Sequence, residues 1–286
     1  MTPATLADPP DLRRSFRAEL SATAALFALT VRQHTHGRRL LVLGLLYALP
    51  CGLAVLLRSL PRPAPTEALE FALVLNLLPH GLAPLTALLY AAGVVRDEVE
   101  EQRLTYLLLR SVPRWAVYAT KLLATLFVTT VLVAVATAAL YLAIFWGTPE
   151  LWGEIFPARA ARAATAMALG QVGYCALFGF LGLFARRSLV VGIAYIAAVE
   201  GVLASLDFVV RKVTVVYYVR TLFLRWLDPA EGSLRRWQRE WGMDPETLPS
   251  ARECVWTVVL FGAAVTLLTA LWFARREFRV KTPGEG

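Results

Sequence analysis

Only three cysteines and three histidines occur in the 286 residues, too few for a dense disulfide framework or a multi-metal cluster. Cys51, Cys175 and Cys254 lie in or beside apolar runs with no C-x-x-C spacing, which is the setting of buried small hydrophobes. Charge is also scarce: 17% of residues are charged, while about 60% are apolar when Gly is counted and Tyr is not, against roughly 45–50% in globular proteins. That balance excludes an ordinary soluble domain. The chain contains no G-x-x-x-x-G-K-[ST] phosphate loop, no H-E-x-x-H, no G-x-S-x-G and no S-x-x-K near an apolar run. Hydrolytic chemistry therefore has no recognisable residues to carry it.

What the chain has in abundance is uncharged sequence. A spanning helix needs about 20 apolar residues, and six segments qualify: 40–57, 71–95, 115–146, 163–185, 188–206 and 254–274. The reading is an all-α polytopic membrane protein with a cytoplasmic segment 1–39, a six-span domain 40–274 holding an outer segment 207–253, and a tail 275–286. The first 38 residues mix acids, arginines and prolines without an apolar core near Met1, so no cleavable signal is expected.

Orientation follows from lysine and arginine. With the N-terminus inside, 17 of the 29 basic residues fall on the inner side and four in the short outer loops. The outer segment carries eight more, but with seven acids and at a length that weakens the rule. Both termini are expected in the cytoplasm, in a cell (inner) membrane. The net charge of +8 is then explained by topology and lipid head groups, not by nucleic acid.

Between Asp11 and Val31, Leu12, Phe16, Leu20, Phe27 and Val31 recur near helical spacing, as in an amphipathic helix lying on the inner leaflet. Val209 to Leu227 is open between short helices on the outer mouth and a re-entrant piece, because periodicity does not decide. Trp237 and Trp241 among charges suit a membrane interface, and His34 and His36 a head-group contact. Inside the spans, Glu200, His80 and Asn76 are the ionisable or polar groups nearest the bilayer centre and so are pathway candidates. Glu200 is expected to contact His80, to pack protonated between helices, or to meet cargo. Gln171 and Tyr174 are weaker candidates.

The link between the second and third spans carries acids first and basic residues later, which favours a helix through its dipole, and Pro113 ends it. Glu100 and Glu101 invite comparison with the E-E-x-x-x-R motif of membrane proteases, but Thr105 stands where the arginine should be. The order E-x-E-x-x-x-L-T-x-L-L-x-R-x-x-P-R from Glu98 to Arg114, with Lys121 seven residues on, resembles the signature of the membrane subunits of ABC-2 (type V exporter-like) ABC transporters.

That resemblance implies a permease subunit whose 96–114 segment is a coupling helix. By it, Glu98, Glu100 and Glu101 match the acidic positions, and Leu104, Leu107 and Leu108 the apolar face. Pro113 and Arg114 match the proline-arginine step, and Lys121 the later lysine. Arg103, Tyr106 and Arg110 complete the candidate coupling set. Many members have Gly-Thr where this chain has Gln102 and Arg103, a departure that bears on subgroup and cargo. No cofactor is implied in this chain; ATP would be bound by a separate ATPase subunit, and a second permease subunit, identical or related, would complete the pathway. The other class of reading is a non-transporting membrane anchor or assembly component that recruits a cytoplasmic partner through the same acidic helix.

Overall fold

The computed structural model describes residues 12–94, 113–147, 155–185, 187–205, 209–227, 237, 239–243 and 247–275, and every regular element among them is helical. Five helices are long and apolar enough to cross a membrane: α2 (Arg38–Arg58), α3 (Thr66–Ala91), α4 (Arg114–Ile144), α5 (Phe156–Phe184) and α8 (Ala251–Arg275). They are joined by α1 (Leu12–Thr35), the shorter apolar α6 (Ser188–Val202) and α7 (Val215–Trp226).

The multi-pass membrane character follows from how these helices distribute their apolar surface. On α2, Leu41, Leu45, Leu49, Leu53 and Leu56 are exposed, and on α8 Trp256, Leu260, Leu267 and Leu271 are. An outward apolar band of this extent would be an aggregation surface in water but is the natural boundary to lipid. Polar groups are turned inward instead: Glu70, Lys121, Gln171, Glu200 and Arg220 are all buried.

At the centre stands α5, packed against α3, α4, α6, α7 and α8. Its glycines permit close approach. A Cβ on Gly262 of α8 would crowd Val172, and one on Gly182 of α5 would fall on the Ala92 carbonyl that follows α3. Gly192 of α6 packs in the same way against Leu88 of α3, so the end of α3 near Ala92 is gripped from two sides.

Spans bounded by charge in the sequence are longer in the structure. The second, expected from residue 71, starts at Thr66, and the fourth, expected from residue 163, starts at Ile155. Charge marks the edge of an apolar run but does not stop a helix when the charges find partners, as Glu70 and Arg159 do at 2.9 Å.

The segment expected as a fifth span, 188–206, departs most from expectation. Its helix α6 has 15 residues, about 22 Å at 1.5 Å per residue, against roughly 30 Å of hydrocarbon. A 3-10 turn, Leu203–Ser205, follows. The chain then reaches α7, which lies along the other half of α5. Four contacts fix the succession: Tyr195 rings Phe178, Glu200 meets Tyr174, a Cβ on Gly173 would stand 3.0 Å from Val215, and Arg162 donates to the Trp226 carbonyl. Levels 178 and 174 of α5 thus face α6, and levels 173 to 162 face α7.

Two peripheral elements have partners within the bundle. The α1 helix does not present its apolar stripe to lipid alone: Leu26 and Thr30 are buried, Phe27 rings Phe127 of α4 at 6.1 Å, and α1 runs against α4. Leu20, counted in the stripe, is exposed. Trp237 and Trp241 are both buried and stacked on Phe71 of α3.

Candidate functional site

Two stretches of the helical core run in π rather than α register: Glu70–Leu82 of α3, which contains Pro79, and Ile196–Val202 of α6. Asn76, His80 and Glu200 all lie in these stretches. Such turns leave backbone carbonyls without their usual donors and are frequent at functional sites. Pro84 has no N–H to give the turn before it, and the carbonyl of Pro79, five residues back, accepts from the Tyr174 hydroxyl at 3.3 Å. One turn on, Gln171 Nε2 donates to the Ala83 carbonyl at 3.0 Å. The two weakest polar candidates of the fourth span thus repair the irregular backbone of α3.

Glu200 is fully buried and its carboxylate accepts four hydrogen bonds. Oε1 takes the Tyr195 hydroxyl at 3.1 Å and the Val215 amide at 3.2 Å; Oε2 takes the Val216 amide at 3.0 Å and the Tyr174 hydroxyl at 3.2 Å. The two amides are the first of α7, so the acid caps a helix N-terminus, where orphan N–H groups and the helix dipole favour negative charge. One turn further along α7, Arg220 is 5% exposed, donates to the Ala204 carbonyl at 3.2 Å and lies 5.1 Å from the Trp241 ring. The expected Glu200–His80 contact does not form. His80 Nδ1 engages the Asn76 carbonyl of its own helix, and Asn76 Oδ1 accepts from Trp241 Nε1 at 3.0 Å. Among the described residues, His80 Nε2 and Arg220 Nε are buried without a hydrogen-bond partner.

A second buried acid, Glu70, is the charge immediately before the apolar run 71–95. It accepts from Arg159 Nε and Nη2 at 3.1 and 2.9 Å, a bidentate pair, and from the Tyr141 hydroxyl at 2.7 Å. Three helices, α3, α4 and α5, are thereby tied at one level. The only sequence signal was an acid and an arginine just outside two apolar runs, with a tyrosine inside a third.

Most of the candidate coupling residues, Glu98, Glu100, Glu101, Arg103, Leu104, Tyr106, Leu107, Leu108 and Arg110, lie outside the described residues. Pro113 is the N-cap of α4, in extended backbone, and Arg114 is the first residue of that helix. Lys121 is buried two turns on.

The end of α3 and the fourth turn of α4 meet on His34, whose contacts are with protein. Its Nε2 lies 2.9 Å from Thr125 Oγ1 of α4, its ring sits 4.8 Å from that of Tyr90 of α3, and its carbonyl accepts from the Tyr90 hydroxyl. Burial, with the positive charges of Arg39 and Lys121, pushes the imidazole down to about 4. His36, by contrast, is exposed.

No family model, curated protein or solved structure matches the chain.

Proposed function

We propose that the chain is the permease subunit of an ABC-2-type ABC transporter, forming part of the translocation pathway and driven by a separate ATPase subunit that docks on the 96–114 segment. The observation that carries the reading is the His34 junction. The chain leaves α3 just after Tyr90 and enters α4 eleven residues before Thr125, and one imidazole on α1 touches both. A push on the intervening segment would move α1, α3 and α4 together, which is what mechanical coupling to an ATPase requires. The Glu98–Arg114 block supplies the chemistry for docking: acids for basic groups on a partner and leucines for the bundle.

In this reading α6 and α7 count together as one broken crossing, which makes six crossings and returns both termini to the cytoplasmic side of the inner membrane. Broken helices that meet near mid-membrane suit a pathway wall, since irregular backbone there has to be buried in protein or line a cavity. Asn76, His80 and Glu200 sit at that level. The outward apolar faces of α2, α6 and α8 leave room for a second permease subunit, identical or related, facing the first around the pathway.

Charge reversal at Glu100 and Glu101 tests the proposal. The double variant should lose co-purification of the proposed ATPase subunit, and stimulated ATPase activity with it, while membrane insertion is kept. Unchanged recovery and activity would return these acids to a solvated face. Loss of a bound partner that lacks a phosphate loop would favour the anchor or assembly reading. Labelling of single cysteines near Gln102 and Gly242 checks the crossings: labelling of both from one side overturns six.

A further inference from the structure

A second polar feature lies away from the Glu200 level, where α7 ends against the start of α5. Ala161, Arg162, Thr165, Arg225 and Trp226 line a groove of about 620 Å³ there, within the size range of small-molecule sites. Two guanidiniums from two different helices share it. Arg162 spends one donor on the Trp226 carbonyl at 2.9 Å and Arg225 one on the Leu248 carbonyl at 3.1 Å. A guanidinium has five N–H donors, so each arginine is fixed in place with most of its donors unspent. Among the described residues neither is paired with a carboxylate. Arg159, three residues before Arg162 on the same helix, makes the contrast: it is neutralised by Glu70.

Depth decides what the groove would meet. Arg162 lies about 22 residues, or roughly 33 Å, from Phe184 at the other end of α5, and a bilayer's hydrocarbon core is about 30 Å thick. With Phe184 at one boundary, Arg162 stands at the opposite one, where phospholipid phosphates lie. Arginine pairs bind phosphate through parallel N–H bonds, and Trp226 is an aromatic of the kind favoured at head-group level, while the Thr165 hydroxyl donates to the Ala161 carbonyl at 2.8 Å.

We propose that this groove binds the head group of an anionic phospholipid in the leaflet on the Arg162 side, with Arg162 and Arg225 holding its phosphate. The full-length chain, purified in a neutral detergent, would be titrated with short-chain phosphatidylglycerol, with short-chain phosphatidylcholine and with inorganic phosphate, reading thermal stability and, by native mass spectrometry, retained lipid. Phosphatidylglycerol should raise the melting temperature and remain bound, and the other two should do much less. Arg162→Gln and Arg225→Gln should each weaken that effect by roughly tenfold, about 1.4 kcal/mol, while Arg62→Gln, an exposed loop position, should not. Arg162→Lys and Arg225→Lys guard against misfolding: they should fold like wild type and keep part of the effect. An equal response to inorganic phosphate would overturn the lipid as ligand in favour of a free anion. Equal responses to the two lipids, or a response that survives both glutamine substitutions, would overturn the site.

Discussion

Tyr174 and Glu200, 26 residues apart in sequence and on different helices, share a 3.2 Å hydrogen bond in the middle of the bundle, and the same hydroxyl reaches the Pro79 carbonyl of a third helix. The hydroxyl is thus a junction of α3, α5 and α6, and it joins the two irregular stretches to each other.

The acceptor pattern of Glu200 sets the outcome of its amide substitution. Each oxygen takes one hydroxyl and one backbone N–H, so in Glu200→Gln the side-chain NH2 must face the amide of Val215 or Val216 whichever way it is turned. A tyrosine hydroxyl can rotate to accept; a backbone N–H cannot. One unpaired buried donor costs about 1–3 kcal/mol, so thermal unfolding should show Glu200→Gln clearly less stable than wild type, with Tyr174→Phe and Tyr195→Phe each milder. A Glu200→Gln protein that melts like wild type would rule out the cap.

For Glu70, Arg159→Met should be strongly destabilising because it leaves a buried carboxylate with Tyr141 as its remaining partner. Breaking a buried pair costs about 3–5 kcal/mol, and the partial exposure of Arg159 points to the lower end. Glu70→Leu combined with Arg159→Met should recover much of the loss. A double-mutant cycle in which the two losses simply add would show that the pair is not coupled.

His34 gives the fold a defined acid sensitivity. Its ordinary value is 6.5 and the folded chain holds it at about 4, beside Arg39 and Lys121. Between those values the unfolded chain binds a proton that the folded chain refuses, so this contribution is whole above pH 6.5, falls as the pH drops, and is gone below about 4. Melting temperatures from pH 7 to 4 should therefore fall more steeply for wild type than for His34→Gln. Parallel curves would mean that His34 titrates alike folded and unfolded.

Glycine substitutions separate backbone contact from side-chain contact. Gly182→Ala would drive a methyl into the Ala92 main chain, which has no rotamer to give, and should cost about 1–3 kcal/mol. Gly192→Ala meets the methyls of Leu88, which can move, and should cost less. Gly44→Ala and Gly52→Ala meet nothing within 4 Å and should be neutral or slightly stabilising, as alanine favours a helix interior. Equal losses at Gly44 and Gly182 would contradict the packing described.

Long apolar runs were legible because lipid selects for them, and five of the six expected segments hold helices long enough to cross. The segment 188–206 is less legible, because counting apolar residues cannot see that its helix runs only to Val202 or that α7, with two arginines in its sequence, takes up the course. Asn76, His80 and Glu200 were visible as polar groups in apolar runs, but their partners were not. Of the alternatives open for Glu200, the His80 contact is not made, because two hydroxyls and a helix terminus satisfy the acid, which sequence alone does not show. Glu70 was missed because a charge at the edge of a run reads as a boundary, and only the third dimension sets Arg159 and Tyr141 beside it.

The shortness of α6 and α7 bears on how the chain enters its membrane. Fifteen apolar residues are few for a segment that must partition into lipid alone, and the twelve of α7 include Arg220 and Arg225. α6 is short for an insertion unit, and α7 is both short and interrupted by charge. In the finished bundle α6 keeps much of its apolar surface outward and packs on α3 and α5, whereas α7 is buried against α3 and α5, made before it, and against α8, made after it. The packing of α7 is therefore complete only once the last helix has been synthesised, and truncation before Ala251 should leave α7 less protected and more open to proteolysis.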